Sequence, residues 1–293
     1  MEDPMSNFDK QLRERLCQQT IAIERELDGD VIFFYGPIYP GVQVHFREFI
    51  EKLHLDADSR NRLIVFLNTP GGSAETVEKL VEMIRFHYDE VFFVVPDEAM
   101  SAGTIFCMSG DRIYMDYTSS LGPIDPQVHN GKEWVPALGY LDQVEKMIER
   151  SAQGQLTDAE VLILRNQDLA MLSRCEQAKN LTITLMKRWL VDYKFKKWTV
   201  HSETSIRNGQ AVTIEEKTHR AEQIATMLSD NKKWHSHGRM IGISTLRTEL
   251  RLQIEDYSGS TMLRALITSY NDSITDYIKR HEYRFFLHSR LFT

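Results

Sequence analysis

Cysteine is scarce in this chain: Cys17, Cys107 and Cys175 are odd in number and widely spaced. That excludes a disulfide framework and leaves no paired spacing for structural zinc, a pattern that fits a reducing compartment. Long apolar runs are also missing. No stretch approaches the roughly 18 uninterrupted apolar residues of a membrane span, and MEDPMSNFDKQLRERLCQQ at the N-terminus has no apolar signal core. Both absences predict a cytoplasmic protein. A basic excess is lacking too. The net charge of −7 argues against nucleic-acid binding through a positive field, and the short basic stretches at 194–197 and 232–239 read as solvated helix ends or loops.

What is present is an ordinary globular composition, 42% hydrophobic and 26% charged. A length of 293 residues suits one large domain, or one domain with an added helical part. No internal repeat or low-complexity tract occurs. Hydrophobic periodicity predicts a helix over 8–27, a strand over 31–35, a helix over 44–53 and a strand over 63–67. A helix over 75–88, a strand over 91–95, a helix over 102–108 and a strand over 112–115 follow. Such alternation argues for βαβ units and a mainly parallel sheet, whose ligands bind at the carboxyl ends of the strands.

Further on, 124–129 and 133–135 flank Asn130-Gly131, a hairpin signal. Helices are predicted over 138–150, 158–168, 169–193, 214–228, 244–250 and 262–286. Thr213 and Glu216 form a capping box for the fourth of these.

Two small-residue turns fall at those carboxyl ends. Asn68-Thr69-Pro70-Gly71-Gly72-Ser73 follows the strand over 63–67, and Met100-Ser101-Ala102-Gly103-Thr104 follows the strand over 91–95. Taken alone, the first is a common βα turn and the second a close helix–sheet packing site. Taken together, a glycine pair that brings backbone N–H groups close to a ligand and a serine at a helix start form half of an acyl-transfer site.

At these residues the chain resembles the Clp protease/crotonase superfamily. The likeness is closest to its signal-peptide peptidase A and serine dehydrogenase proteinase branch. It rests on Asn68-Thr69-Pro70-Gly71-Gly72, Ala99-Met100-Ser101-Ala102-Gly103-Thr104, Asp111-Arg112-Ile113-Tyr114-Met115 and Ser120-Leu121-Gly122-Pro123-Ile124, in family order and spacing over 31–126. The turn at 234–239 is similar to the serine dehydrogenase proteinase group, and the helical region 137–293 agrees more loosely. The resemblance implies an α/β fold, a Clp/crotonase-like βαβ spiral with a mainly parallel sheet and helical additions at both ends. The organisation expected is an N-terminal helix (1–28), a catalytic core (29–136), a helical remainder (137–259) and a final helix (260–293).

The resemblance further implies Ser101 as nucleophile, with the N–H groups of Gly72 and Ala102 as oxyanion hole and Gly71 allowing the turn. The base is less plain. No His stands at 119–124, where the Clp branch carries one, and His129 lies at the hairpin tip. The signal-peptide peptidase branch uses a Lys at a helix head after the hairpin, and Lys179 in Glu176-Gln177-Ala178-Lys179-Asn180-Leu181 matches it best. Burial among the apolar positions of that helix would leave such a lysine neutral. A solvated surface lysine is the competing reading. Lys132 and Lys146 are weaker choices, and His237 is the fallback base. His235 and His237 lack the further ligands of a metal site. Asp111 and Asp125 are read as turn caps or arginine partners.

The function expected is that of a cytoplasmic, ATP-independent serine endopeptidase acting on peptides or unfolded protein, with no cofactor and no metal. Homo-oligomerisation is expected from the resemblance and from apolar positions at Leu12, Leu16, Leu263, Ile267, Tyr270 and Tyr277 that a monomer core would leave uncovered. The rival readings are a crotonase-like acyl-CoA enzyme and an inactive oligomeric scaffold.

Overall fold

The computed structural model of the chain describes residues 7–129, 134–202 and 207–291. In chain order its elements begin with α1 (Asn7–Leu27), β1 (Asp30–Tyr35), α2 (Val42–Leu55), β2 (Arg62–Asn68), α3 (Ala74–His87) and β3 (Glu90–Val94). Next come β4 (Glu98–Ala99), α4 (Ala102–Met108), β5 (Arg112–Met115) and β6 (Ser120–Leu121). A hairpin of β7 (Gln127–His129) and β8 (Trp134–Pro136) leads into α5 (Ala137–Ala152), α6 (Asp158–Arg165) and α7 (Leu169–Trp189). The last turn of α7 widens into a π-helix over Leu190–Lys194. The chain then forms α8 (Ile214–Ser229), α9 (Asn231–Trp234), β9 (Ile241–Gly242), α10 (Ile243–Thr248), β10 (Glu255–Asp256), α11 (Thr261–Arg280) and β11 (Phe286–His288).

The central sheet has the order β10-β5-β3-β2-β1-β11, parallel throughout except for β11 at its edge. Its inner strands are near-continuous apolar runs because both faces are covered. Alternate side chains serve different cores, as a period of two dictates. Ile32, Phe34, Val65 and Leu67 point to α2, α3, α4, α7 and α8. Val31, Phe33, Ile64 and Phe66 point to α1 and α11, where Tyr270 meets Phe33 and Phe66 edge-on at 5.8 and 5.2 Å. This is the α/β architecture with a mainly parallel sheet and helices added at both ends.

Two expectations need correction. The last helix stops at Arg280 rather than continuing to 286. Glu282 takes a left-handed φ of 55° that ends the helix, and Phe286 and Leu287 then drop into opposite cores, an alternation only a strand provides. The apolar positions of α1 and α11 are also not left for a partner. Leu16, Ile267 and Tyr270 are fully buried and Leu263 and Tyr277 nearly so, because the two helices cover one another on the sheet. The Asn130-Gly131 turn and Lys132 lie outside the described residues.

Candidate active site

A second, three-stranded sheet β4-β6-β9 stands beyond the carboxyl ends of the main strands and holds the two small-residue turns together. Thr69 donates its N–H to the Glu98 carbonyl at 3.0 Å, and Met100 donates to the Thr69 carbonyl at 3.0 Å. The Thr104 hydroxyl donates to the Ala99 carbonyl at 2.8 Å and accepts the Gly122 N–H at 2.9 Å.

Ser101 sits on the sharp passage from β4 into α4 with φ 52° and ψ −116°. A non-glycine residue there is strained by about 1–3 kcal/mol and persists only when its surroundings hold it. The holding is visible. Gly103 donates to the Met100 carbonyl at 2.8 Å, Ile105 donates to the Ser101 carbonyl at 3.2 Å, and Gly71 presses against the turn. A Cβ on Gly71 would lie 2.7 Å from both Ser101 Cβ and the Met100 oxygen, so only glycine fits. The elbow sets Ser101 at the head of the helix, where it lines a cleft, the placement a serine nucleophile needs.

Gly72 follows with φ +148°, and a Cβ there would lie 1.9 Å from the Ile38 carbonyl oxygen. The neighbouring backbone is tied down on both sides: Ile38 donates to the Gly71 carbonyl and Ser73 donates to the Ile38 carbonyl, each at 2.8 Å. The Gly72 N–H itself donates to no acceptor among the described residues. Ala102 opens α4, where the first N–H groups have no partner within the helix.

Ser101, Gly72 and Ala102 line one cleft of about 830 Å³. Its walls are largely apolar, with Ile38, Ile105, Ile124 and Val128 among them, and Glu75, Arg174 and Gln177 at polar points. His237 lines the same cleft, carried there by the turn after α9. Its Nδ1 lies 2.8 Å from Asp125 Oδ1. The Asp125 side chain is only 4% exposed, against 29% for His237. Gln127 Nε2 donates to the other Asp125 oxygen at 3.0 Å. A buried carboxylate bonded to one ring nitrogen fixes the tautomer and leaves the other nitrogen free to take a proton.

Lys179 is placed differently. Its neighbours Ala178 and Thr182 line the cleft, whereas Lys179 is exposed on α7 and does not. Lys146 is likewise exposed, on α5. Asp111 pairs with Arg85 at 2.9 Å, one of the two roles foreseen for it. Asp125 was assigned no chemistry from the sequence, and its place beside His237 was missed. Its partner is 112 residues away, so no local spacing announces the pair. Cys107 is buried, and burial pushes its thiol up, which makes it a core residue rather than a nucleophile. Among the described residues no group of three or more His, Cys, Asp or Glu side chains forms a metal site. No helix among them is long and apolar enough to cross a membrane.

Residues 10–228 match the family of ClpP-like SDH-type serine proteinases. An uncharacterized protein of Methanocaldococcus jannaschii is 24% identical over 201 residues, 66% of each chain. The proteolytic subunit of an ATP-dependent Clp protease from Lactococcus lactis is 32% identical over 89 residues, 30% of this chain and 44% of that one. The chain therefore spans about two thirds or less of the length of these curated relatives. Among solved structures, a membrane-bound stomatin-specific protease in complex with a substrate peptide overlaps 55% of this chain and 59% of its own at 18% identity, with a TM-score of 0.34.

Proposed function

We propose that this chain, which belongs to the family of ClpP-like SDH-type serine proteinases, is a serine endopeptidase whose nucleophile, base and orienting acid are Ser101, His237 and Asp125. The observation that carries the reading is the His237–Asp125 contact of 2.8 Å in the cleft that the strained Ser101 elbow also lines. Serine proteinase is the family's chemistry. The assignment of individual residues is our own.

In this mechanism His237 takes the Ser101 proton as Oγ attacks a peptide carbonyl. The Gly72 and Ala102 N–H groups hold the oxyanion, with Gly71 making room for the turn. Their bonds strengthen as charge develops on oxygen, so they act on the transition state more than on bound substrate. His237 then passes its proton to the leaving amine, and water hydrolyses the acyl-enzyme by the same route in reverse. The Asp125 carboxylate, bonded to Nδ1, stabilises the imidazolium that forms. Neither ATP nor a metal enters these steps. The apolar walls suit an extended segment of peptide or unfolded protein.

Lys179 is not given the part of base, because its side chain is exposed and a lysine acts as base only when burial keeps it neutral. The experiment compares variants on a fluorogenic peptide set and an unfolded protein. Ser101→Ala should abolish hydrolysis at a stability change of about 1 kcal/mol or less. His237→Ala should do the same. Asp125→Asn should lower kcat by roughly a thousandfold or more through the wrong tautomer, and Lys179→Ala should keep most of the rate. An active His237→Ala beside a dead Lys179→Ala would return the base to the lysine, and an active Ser101→Ala would end the nucleophile assignment.

A further inference from the structure

The strap that carries Gly72 is held from the far side by a part of the chain remote in sequence. Ile38 brackets Gly72 by accepting from Ser73 and donating to the Gly71 carbonyl, so the position of Ile38 sets the direction of the Gly72 N–H. Ile38 belongs to residues 37–40, which leave β1 at Gly36 and form one wall of the cleft. On the strap side the loop is held by Gly36 donating to the Asn68 carbonyl at 3.0 Å and by the two Ile38 bonds.

Behind it lie residues 284–290. Gly36 adopts φ +105°, and a Cβ there would meet the Arg284 carbonyl at 2.3 Å and Phe285 Cα at 3.1 Å. The half-buried Phe285 ring packs edge-on against Phe34 at 5.3 Å and against Tyr39, a cleft-wall residue, at 6.1 Å. β11 pairs with β1 in the register Tyr35–Phe286, Phe34–Leu287 and Phe33–His288. Two residues beyond β11, the Arg290 side chain is 7% exposed and clamped by three carboxylates: Glu24 at 2.7 Å, Asp30 at 2.8 Å and Asp56 at 3.0 Å. A guanidinium bonded to three carboxylates from α1, β1 and the end of α2 fixes the segment to the body of the protein.

We infer that residues 284–290 are a brace for the oxyanion strap, in which Arg290 anchors the segment and Phe285 is a positioning residue for the Gly72 N–H. The chain of contact runs from Arg290 to β11, from Phe285 to the loop 37–40, and from Ile38 to the strap 71–73. This rests on the reading of Gly72 as an oxyanion donor. Misplacing such a donor by an ångström weakens the transition state far more than the bound substrate.

The test uses the full chain with Phe285→Ala, Phe285→Tyr and Arg290→Gln. Amide hydrogen exchange at Ile38 and Ser73 reports the bracket whether or not hydrolysis is measured. Phe285→Ala and Arg290→Gln should speed exchange there by about tenfold or more while leaving α5 and α7 unchanged. In the same proteins kcat should fall about tenfold to a hundredfold with KM changed by less than about threefold. Phe285→Tyr, which keeps the ring, should restore both. Unchanged exchange at Ile38 and Ser73 would overturn the brace. Faster exchange with unaltered kcat would overturn its positioning role. Ser101→Ala, run beside them, shows separately whether the nucleophile reading stands, because the exchange result does not depend on it.

Discussion

Replacing Lys194 by methionine is expected to stabilise the protein at neutral pH, with a gain that shrinks as pH rises. Lys194 closes the π-helix after α7. Part of its stem reaches the surface, but its Nζ is buried without a hydrogen-bond partner among the described residues. Burial is the largest influence and pushes the ammonium from 10.5 down to about 7, against weaker opposing pulls from Cys107 and Asp111. Asp111 is already committed to Arg85 at 2.9 Å and offers Lys194 little. The unfolded chain therefore holds a proton that the folded chain gives up between about pH 7 and 10.5. Where the unfolded state binds more protons, stability falls as pH falls. With those two values the linkage costs folding about 4 kcal/mol at pH 7 and about 1.5 kcal/mol at pH 9.5.

Methionine keeps the unbranched stem and removes the amine, so packing changes little. Urea unfolding of both proteins at the two pH values, followed by far-ultraviolet circular dichroism, measures the difference. A gain of a few kcal/mol at pH 7 that drops by more than half at pH 9.5 is the expected result. A loss at pH 7, or an equal gain at both, would refute the reasoning by showing that Nζ is partnered or solvated in the folded state.

Gly72→Ala should lose at least about a hundredfold in kcat, because its Cβ would fall 1.9 Å from a backbone oxygen and push the strap off its position. Gly259→Ala, where a Cβ meets open space, serves as the control and should leave activity and unfolding midpoint unchanged. Assembly into a homo-oligomer remains a proposal, now resting on different residues. α6 buries none of its side chains, and Ile148, Leu162 and Leu169 are 56%, 60% and 78% exposed. Light scattering at micromolar concentration should give a mass above the 34.1 kDa of one chain, and a monomeric mass would count against it.

The sequence by itself determined the elements whose physics is local. Inner strands such as Val31–Phe34 and Leu63–Leu67 are recognisable as apolar runs because a strand covered on both faces has no polar side to show. The capping box at Thr213 and Glu216 stands where it was read, since both hydrogen bonds close within one turn. The elbow and its glycines were legible for a similar reason: Gly71 and Gly72 occupy backbone conformations that side chains disfavour, which restricts the residue type. The last helix was read too long, because its apolar spacing continues past Arg280 while the turn at Glu282 and the pairing of β11 with β1 depend on a strand at the other end of the chain.

The base is the sharper case. A lysine on an amphipathic helix and a histidine in a late turn each satisfy the spacing rules, and neither spacing says which side chain enters the cleft. Only the tertiary structure shows which of them lines the cleft, and it is His237. Packing leaves Lys179 exposed and brings His237 to a buried Asp125, because such a pair is made by distance in space and not by separation along the chain.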